Sequence, residues 1–307
     1  MANVRVVMMQ RDEGDSLARW LAHYGGLFGY PNLSIIDNGS VDHLTRQLLA
    51  EAERRGSRIY WDLSSRHDFE HKGGHVANII QHWDNSAPYD FALPVDCDEI
   101  LAVFEPAGLT TDHAAIHREF DRLRSFRCAL RIDMSLLNVP ERPGWFAPDR
   151  AFHKGFLPAR SLDTIDNGYH DPQSRLQPGH LTTRLTYLHW HNHDFDRTQQ
   201  RARVKMEGRV DLSDSRALAN YAGRGDAPGQ HLIELLTMSR ERFRHRYDDE
   251  VQVFVPPGGK ANLLQVFGRI RSWDAPTYLS RSPDVVGYEL TPLHHYLRHG
   301  YGEGRPL

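Results

Sequence analysis

Four short apolar runs in the first hundred residues, VRVVMM, LSII, SRIYWDL and DFALPVD, alternate with stretches whose apolar residues recur at three- and four-residue steps. The runs read as buried strands, because apolar segments with little polar alternation suit a sheet covered on both faces. Arg5 is the one exception in the first run. Between the runs, Leu17, Trp20, Leu21, Tyr24, Leu27 and Phe28 mark one helical face, and Asp12, Glu13 and Asp15 put negative charge near its start, where the helix dipole favours it. Leu44, Leu48, Leu49 and Ala52 mark a second helix, and GGHVANIIQHW a third. A chain that alternates in this way is directed to a parallel sheet with covered faces, whose ligands sit beyond the carboxyl ends of the strands. Asn38-Gly39 is then a strand-to-helix turn and not a hairpin, because helical periodicity follows it.

Beyond residue 105 the pattern loosens. A helix is expected near 112–124, a strand at FRCALRIDM, a proline-rich passage over 140–148, a strand over 182–191 and largely helical structure over 195–245, with a break at VPPGGKAN before a short C-terminal module. The 307 residues, 40% hydrophobic and 25% charged, suit one large globular domain or a domain with an appendage. A net charge of -3 leaves no basic field for nucleic acid or an anionic membrane. No apolar run is long enough to span a bilayer and the N-terminus lacks a signal-peptide pattern, which together predict a cytoplasmic protein with no transmembrane segment. Two cysteines without a CxxC pair argue against a disulfide framework or a zinc knuckle. Nineteen histidines are many, and several cluster: His67, His71 and His75, then HWHNHD at 189–194, then His294 and His295.

The fourth strand runs into Asp96, Asp98 and Glu99, with only Cys97 between the first two. Carboxylates so close repel one another and lose hydration, so a cation is the expected partner. In an extended chain residues two apart point to the same side, which lets Asp96 and Asp98 face one site. Two hard oxygen donors suit Mn2+ or Mg2+, whose remaining positions are filled by water and phosphate oxygens.

MMQRDEGDSLARWLAHYGGLFGYPNLSIIDNGSVDHL followed by FALPVDCDEIL resembles the family 2 type glycosyltransferases, over roughly the first hundred residues and with several motifs in order. The resemblance implies an α/β GT-A (nucleotide-diphospho-sugar transferase) fold: a mostly parallel Rossmann-like sheet flanked by helices over 1–212, and a mainly helical C-terminal region over 213–307. It further implies an inverting, metal-dependent transfer of a sugar from a nucleoside diphosphate donor to a saccharide or related hydroxyl acceptor. In the family pattern an asparagine precedes the first-helix glutamate, where this chain has Asp12. By the resemblance Asp37 contacts the donor's base or ribose, Gly39 lets the backbone approach the ligand, and Gln10, Arg11 and Glu13 line the same pocket. Lys72 lies near the diphosphate and Asn78 on the helix that follows. Asp96 and Asp98 form the D-x-D motif, Asp98 binding the metal and Asp96 the ribose or a metal-bound water. Cys97 is then a small filler, since the acids around it raise a thiol pKa.

A histidine downstream of D-x-D often completes the metal shell in similar enzymes. His189 and His191, on one side of a strand, and His170 are the candidates, and imidazole moves the preference toward Mn2+. Asp133, Asp149, Asp171 and Asp194 are candidates for the base that takes the acceptor's proton. Two other classes stand beside this reading: a metallohydrolase built on His189, His191 and His193, and a non-catalytic saccharide-binding protein. YLSRSPDVVGYELTPLHHYLRHGYGEGRPL resembles a C-terminal segment of bacterial glycosyltransferases and surface-polysaccharide proteins; Tyr278, Leu279, Leu293, Tyr296 and Leu297 are expected to form its small core.

Overall fold

Val4–Gln10 (β1) is apolar on both faces except at Arg5 and the terminal Gln10, and it takes an interior place in its sheet accordingly. The computed structural model describes residues 1–224, 229–256, 260–261 and 263–307; 257–259 and 262, within the VPPGGKAN stretch, lie outside the described residues. Gly14–Phe28 (α1) buries the six apolar residues that its periodicity singled out. Leu33–Asp37 (β2), His43–Arg54 (α2) and Arg58–Tyr60 (β3) follow; Asp42 caps α2 by accepting from the Thr45 N–H. Leu49 and Ala52 face inward on α2, whereas Leu44 is exposed. After a short helix Arg66–Glu70 (α3), Lys72–Ser86 (α4) crosses to Phe91–Pro94 (β4).

β1 pairs in parallel with β2 and β4, and β2 in parallel with β3, so these four strands end on one edge. Gln10 pairs with Asp37 at that edge, and the Val95 N–H donates to the Val7 carbonyl just past β4. Glu99–Glu105 (β5) begins one residue after Asp98 and belongs to a different sheet. The acidic turn therefore sits where the chain passes from one sheet to the other.

Next come Gly108–Thr110 (β6), His113–Leu123 (α5), Ala129–Ile132 (β7), Ser135–Asn138 (β8), Trp145–Asp149 (β9) and Lys154–Pro158 (β10). Leu162–Thr164 (β11), Gln173–Ser174 (β12), His180–Thr182 (β13) and Leu185–His189 (β14) complete this part. The first sheet runs β13-β7-β10-β4-β1-β2-β3, with β10 antiparallel to both neighbours. The strand expected over 182–191 is broken instead: β13 joins the first sheet, β14 the second, where it pairs antiparallel with β5 and parallel with β8. Thr183 and Arg184 make that crossing, each held by a donated N–H or hydroxyl bond or by the Glu119 carboxylate.

Phe195–Met206 (α6), Ser215–Ala222 (α7), His231–Thr237 (α8) and Arg240–His245 (α9) supply the expected helical stretch, three of them around a small cluster of their own. Strands not anticipated follow: Gln252–Phe254, Lys260–Ala261, Leu263–Val266 and Arg269–Ser272 extend the second sheet, the first of them against β9 and the second against β6. Tyr278, Leu293, Tyr296 and Leu297 do not form a separate core. They join the main apolar cluster with Phe104 and Leu109, so the C-terminal segment is packed into the body of the protein. The fold class is α/β, a curled sheet system with helices on its faces, as the alternation of elements requires.

Candidate functional site

The antiparallel pairing of β14 with β5 places His189 opposite Glu99, and the next backbone bond, from the Trp190 N–H to the Asp98 carbonyl, is 2.8 Å. That register carries the histidines to the acidic turn. His189 Nε2 lies 3.4 Å from Asp98 Oδ2, and donor atoms of Asp98, His189 and His191 all fall within 4.8 Å of one another. One carboxylate oxygen and two imidazole nitrogens at that spacing are a fitting set for a divalent transition metal. His189 and Asp98 are each about one-fifth exposed, which leaves an open side for further ligands.

Charge in the metal-free site is arranged accordingly. Burial lowers the pKa of His189, but Asp98 outweighs it and holds the imidazole up to about 9. The same contact holds the Asp98 carboxyl well below its usual range against the effect of burial. His191 is pushed down to about 3 by burial and by the charge on His189, so it is neutral and ready to coordinate. His193 falls outside the cluster; burial and Arg201 bring it to about 4. The three-histidine arrangement of a metallohydrolase is thus not assembled. Cys97 is buried, and burial together with Glu13, Asp98 and Asp96 pushes its thiol well up, as a filler requires.

Asp96 faces a different set of partners. Lys72 Nζ donates to its Oδ1 at 2.9 Å and Lys154 Nζ to its Oδ2 at 2.6 Å. Lys154 also lies 3.2 Å from Oε1 of Glu99, whose side chain is fully buried and whose Oε2 accepts from the Asp96 N–H. Burial pushes the Asp96 carboxyl up, and the two ammonium groups more than reverse it. Both ammonium groups sit over the ring of Tyr169, at 4.7 and 5.6 Å from its centroid. Tyr169 is held there by a tight loop: Asp166 accepts from the N–H groups of Gly168, His170 and Asp171, and Tyr169 takes a φ of 58°. The loop leans on the start of α4, where the Gly73 N–H donates to Asn167 and a Cβ on Gly73 would come 3.0 Å from the Asp166 carbonyl. Lys154 escaped sequence reasoning, because HKGFLP carries no motif. The only available signal was a lysine opening an otherwise apolar strand.

The Asp37 crevice lies at the ends of the neighbouring strands. Asp37 Oδ1 accepts from Gln10 Nε2 at 2.6 Å and from the Ser40 hydroxyl, and Oδ2 from the Ser40 N–H, so both oxygens of this buried carboxylate are held within the chain. Glu13 is gripped by Arg201 of α6 through two bonds of 2.6 and 3.0 Å. Asp12 occupies the left-handed region at φ 53° and accepts from the Val41 and Asp42 N–H groups, tying the two strand-end loops together. Arg11 is exposed, its guanidinium 3.9 Å from Asp12. Gly39 also has a positive φ, and the close approach it permits is to the Ser64 carbonyl, 2.9 Å from where a Cβ would stand.

Other expected residues are placed elsewhere. His170 pairs with Asp166 at 3.2 Å and is not in the Asp98 cluster. Asp133 lies beneath the C-terminal segment: His294 Nε2 is 2.8 Å from its Oδ1 and Arg298 Nε 3.5 Å from its Oδ2. Both carboxylate oxygens of Asp133 are thereby engaged by the C-terminal segment. Asp149 accepts from the Ala151 N–H, Asp194 caps α6, and Asp171 stays 63% exposed, 3.5 Å from Arg131.

Fold and site together define an α/β protein with a carboxylate–imidazole cluster and a lysine-held aspartate at the carboxyl ends of its parallel strands. No family model matches the chain. No curated protein matches it either. Among solved structures, it is similar to the mannosyltransferase PcManGT from Pyrobaculum calidifontis in complex with GDP-Man and Mn2+, at 11% identity and a TM-score of 0.37, over 96% of this chain and 85% of that one. It is also similar to S. aureus TarS 1-349, at 9% identity and a TM-score of 0.33 over 89% and 96%. A third is the mannose-1-phosphate geranyltransferase from Thermus thermophilus, at 11% and 0.28 over 94% and 80%. With scores this low, the functional reading rests on the side chains themselves.

Proposed function

We propose that the protein is a metal-dependent glycosyltransferase using a nucleoside diphosphate sugar. The observation that carries this reading is the junction at the acidic turn: a three-donor metal cluster at Asp98 stands two residues from Asp96 and its two lysines. A diphosphate is the ligand that needs both a cation and fixed ammonium groups. Asp98, His189 and His191 would hold Mn2+ in preference to Mg2+, since two of three donors are imidazoles. When bound, the ion offsets charge gathering on the diphosphate as the glycosidic bond lengthens.

The chain's own groups do the remainder. Lys72 and Lys154, fixed by Asp96 and by the Tyr169 ring, present positive charge to the leaving diphosphate. Gln10, Asp37 and Ser40 form the rigid floor of the nucleoside side of the crevice, with Arg11 at its rim. Asp171, open to solvent, takes the acceptor hydroxyl's proton during in-line attack, and inversion follows from that single displacement. The acceptor is a saccharide or related alcohol.

Thermal shift with a panel of nucleoside diphosphates, with and without Mn2+, tests the reading, because a ligand that binds only the folded state raises its melting temperature. A shift that requires Mn2+ and vanishes in Asp98→Ala is expected. Absence of any nucleotide shift, or an undiminished one in Asp98→Ala, overturns it.

A further inference from the structure

Arg5 is unexplained by the site above. It is the only charged side chain in β1, half-buried on the α4 side of the sheet, five residues and about 16 Å along the strand from Gln10. Its guanidinium sits 5.7 Å from the ring centroids of both Trp83 and Tyr89, with its Nε buried and unpartnered and no carboxylate paired to it among the described residues. A half-buried cation without a counter-charge is costly unless something else supplies the anion.

The space in front of Arg5 is a cleft of about 660 Å³, within the range of ligand-binding cavities. α4 packs against β1 and supplies His75, Asn78, Ile79, His82 and Trp83 to the cleft wall. The register Val7–Ser34–Arg58 puts Ser34 and Arg58 on the face that carries Arg5. Arg58 is exposed, lies 5.6 Å over the Tyr60 ring and has no carboxylate partner among the described residues. Two strand spacings and one two-residue step separate the Arg5 and Arg58 backbones by about 12 Å. Among the described residues no aspartate or glutamate lines the cleft. His75 and His82 of α4 also line it, and His75 Nε2 lies 3.1 Å from Asp68, which is outside the lining. Asn32 and Asn78 add hydroxyl-bonding amides, and Tyr60 and Ile79 an apolar wall.

We infer that this cleft is a second binding site, at the opposite end of the strands from Asp98, for a saccharide segment bearing carboxylate or phosphate groups. Two separated guanidinium groups select an anion longer than a single phosphate, and the amides and apolar wall suit sugar hydroxyls and ring faces. The site works without metal and without the groups at the acidic turn, so it stands whether or not the transferase reading does.

Titration calorimetry of the full chain with tetragalacturonate, with neutral cellotetraose and with inorganic phosphate tests it. Saturable binding of tetragalacturonate alone is expected, weakened about tenfold or more in Arg58→Ala and in Arg5→Met, and unchanged in Asp98→Asn. Arg58 is a surface residue, so its variant remains informative if Arg5→Met unfolds; melting curves establish which is the case. No binding of tetragalacturonate, equal binding by Arg58→Ala, or equal binding of cellotetraose or of phosphate each overturns the inference.

Discussion

Replacing Lys154 by methionine removes one ammonium and leaves the rest of the side chain's volume in place. The structure sets the size of the effect. Lys154 is the only cation within ion-pair distance of Glu99 among the described residues, and Glu99 is fully buried. Asp96 loses one of two lysines but keeps Lys72 at 2.9 Å. Breaking a buried pair by deleting one partner costs about 3–5 kcal/mol, and the surviving Lys72 contact places this case near 3. With a urea m-value of about 3 kcal/mol/M for a large chain, the unfolding midpoint should fall by roughly 1 M. Urea unfolding followed by tryptophan fluorescence reads this directly. Adding Glu99→Gln removes the orphaned charge and should restore about half of the loss, whereas Glu99→Gln alone should destabilise by stranding Lys154 over a weaker partner. A Lys154→Met midpoint within about 0.2 M of wild type, or no recovery in the double variant, would refute the claim that this lysine neutralises the acidic turn.

The division of the turn predicts unlike behaviour for its two aspartates: Asp98→Asn should weaken Mn2+ binding by more than about a hundredfold, read by electron paramagnetic resonance, while Asp96→Asn should weaken it by less than about tenfold. Gly73→Ala forces a Cβ against the Asp166 carbonyl, and displacement of the Tyr169 loop should cost about 1–3 kcal/mol in thermal unfolding. Asp133 supplies a pH dependence. Burial raises its pKa, but His294 and Arg298 more than offset this, so its folded value lies below the unfolded one. Its contribution is present above about pH 4 and is lost as pH falls through the lower folded value, so stability below about pH 4 should fall less steeply in Asp133→Asn than in wild type. Identical slopes in the two proteins would dismiss the Asp133 contact as a stabilising one.

Local periodicity was sufficient for β1, α1, β2, α2, α4 and β4, since each buries a face or a whole run that the chain spells out within ten or so residues, whereas β3 is a three-residue edge strand that buries only Ile59. The acidic turn was legible for the same reason. The partner of Asp98 was not: His189 and His191 reach it through the β14–β5 pairing, a contact nearly a hundred residues apart that no local pattern encodes. Spacing alone left His170 in the set; in the fold it pairs with Asp166 and falls outside the three-donor group. Thr182–His191 looked continuous because both halves are β-formers; the change of sheet at Thr183 is decided by bonds to Arg131 and Glu119 from other elements. The contact of Asp133 with His294 spans 161 residues and has no local signature either.

That contact sets a schedule for synthesis. His294 is fully buried, stacked 4.4 Å from the Phe104 ring and bonded to Asp133, a residue 161 positions earlier. At about 5–20 residues per second, a ribosome that has made residue 133 needs roughly 8–32 s more before it has made His294. Over that interval the nascent polypeptide carries an open seam beside Phe104 and an aspartate without its partners, a window in which chaperones would have the most to hold.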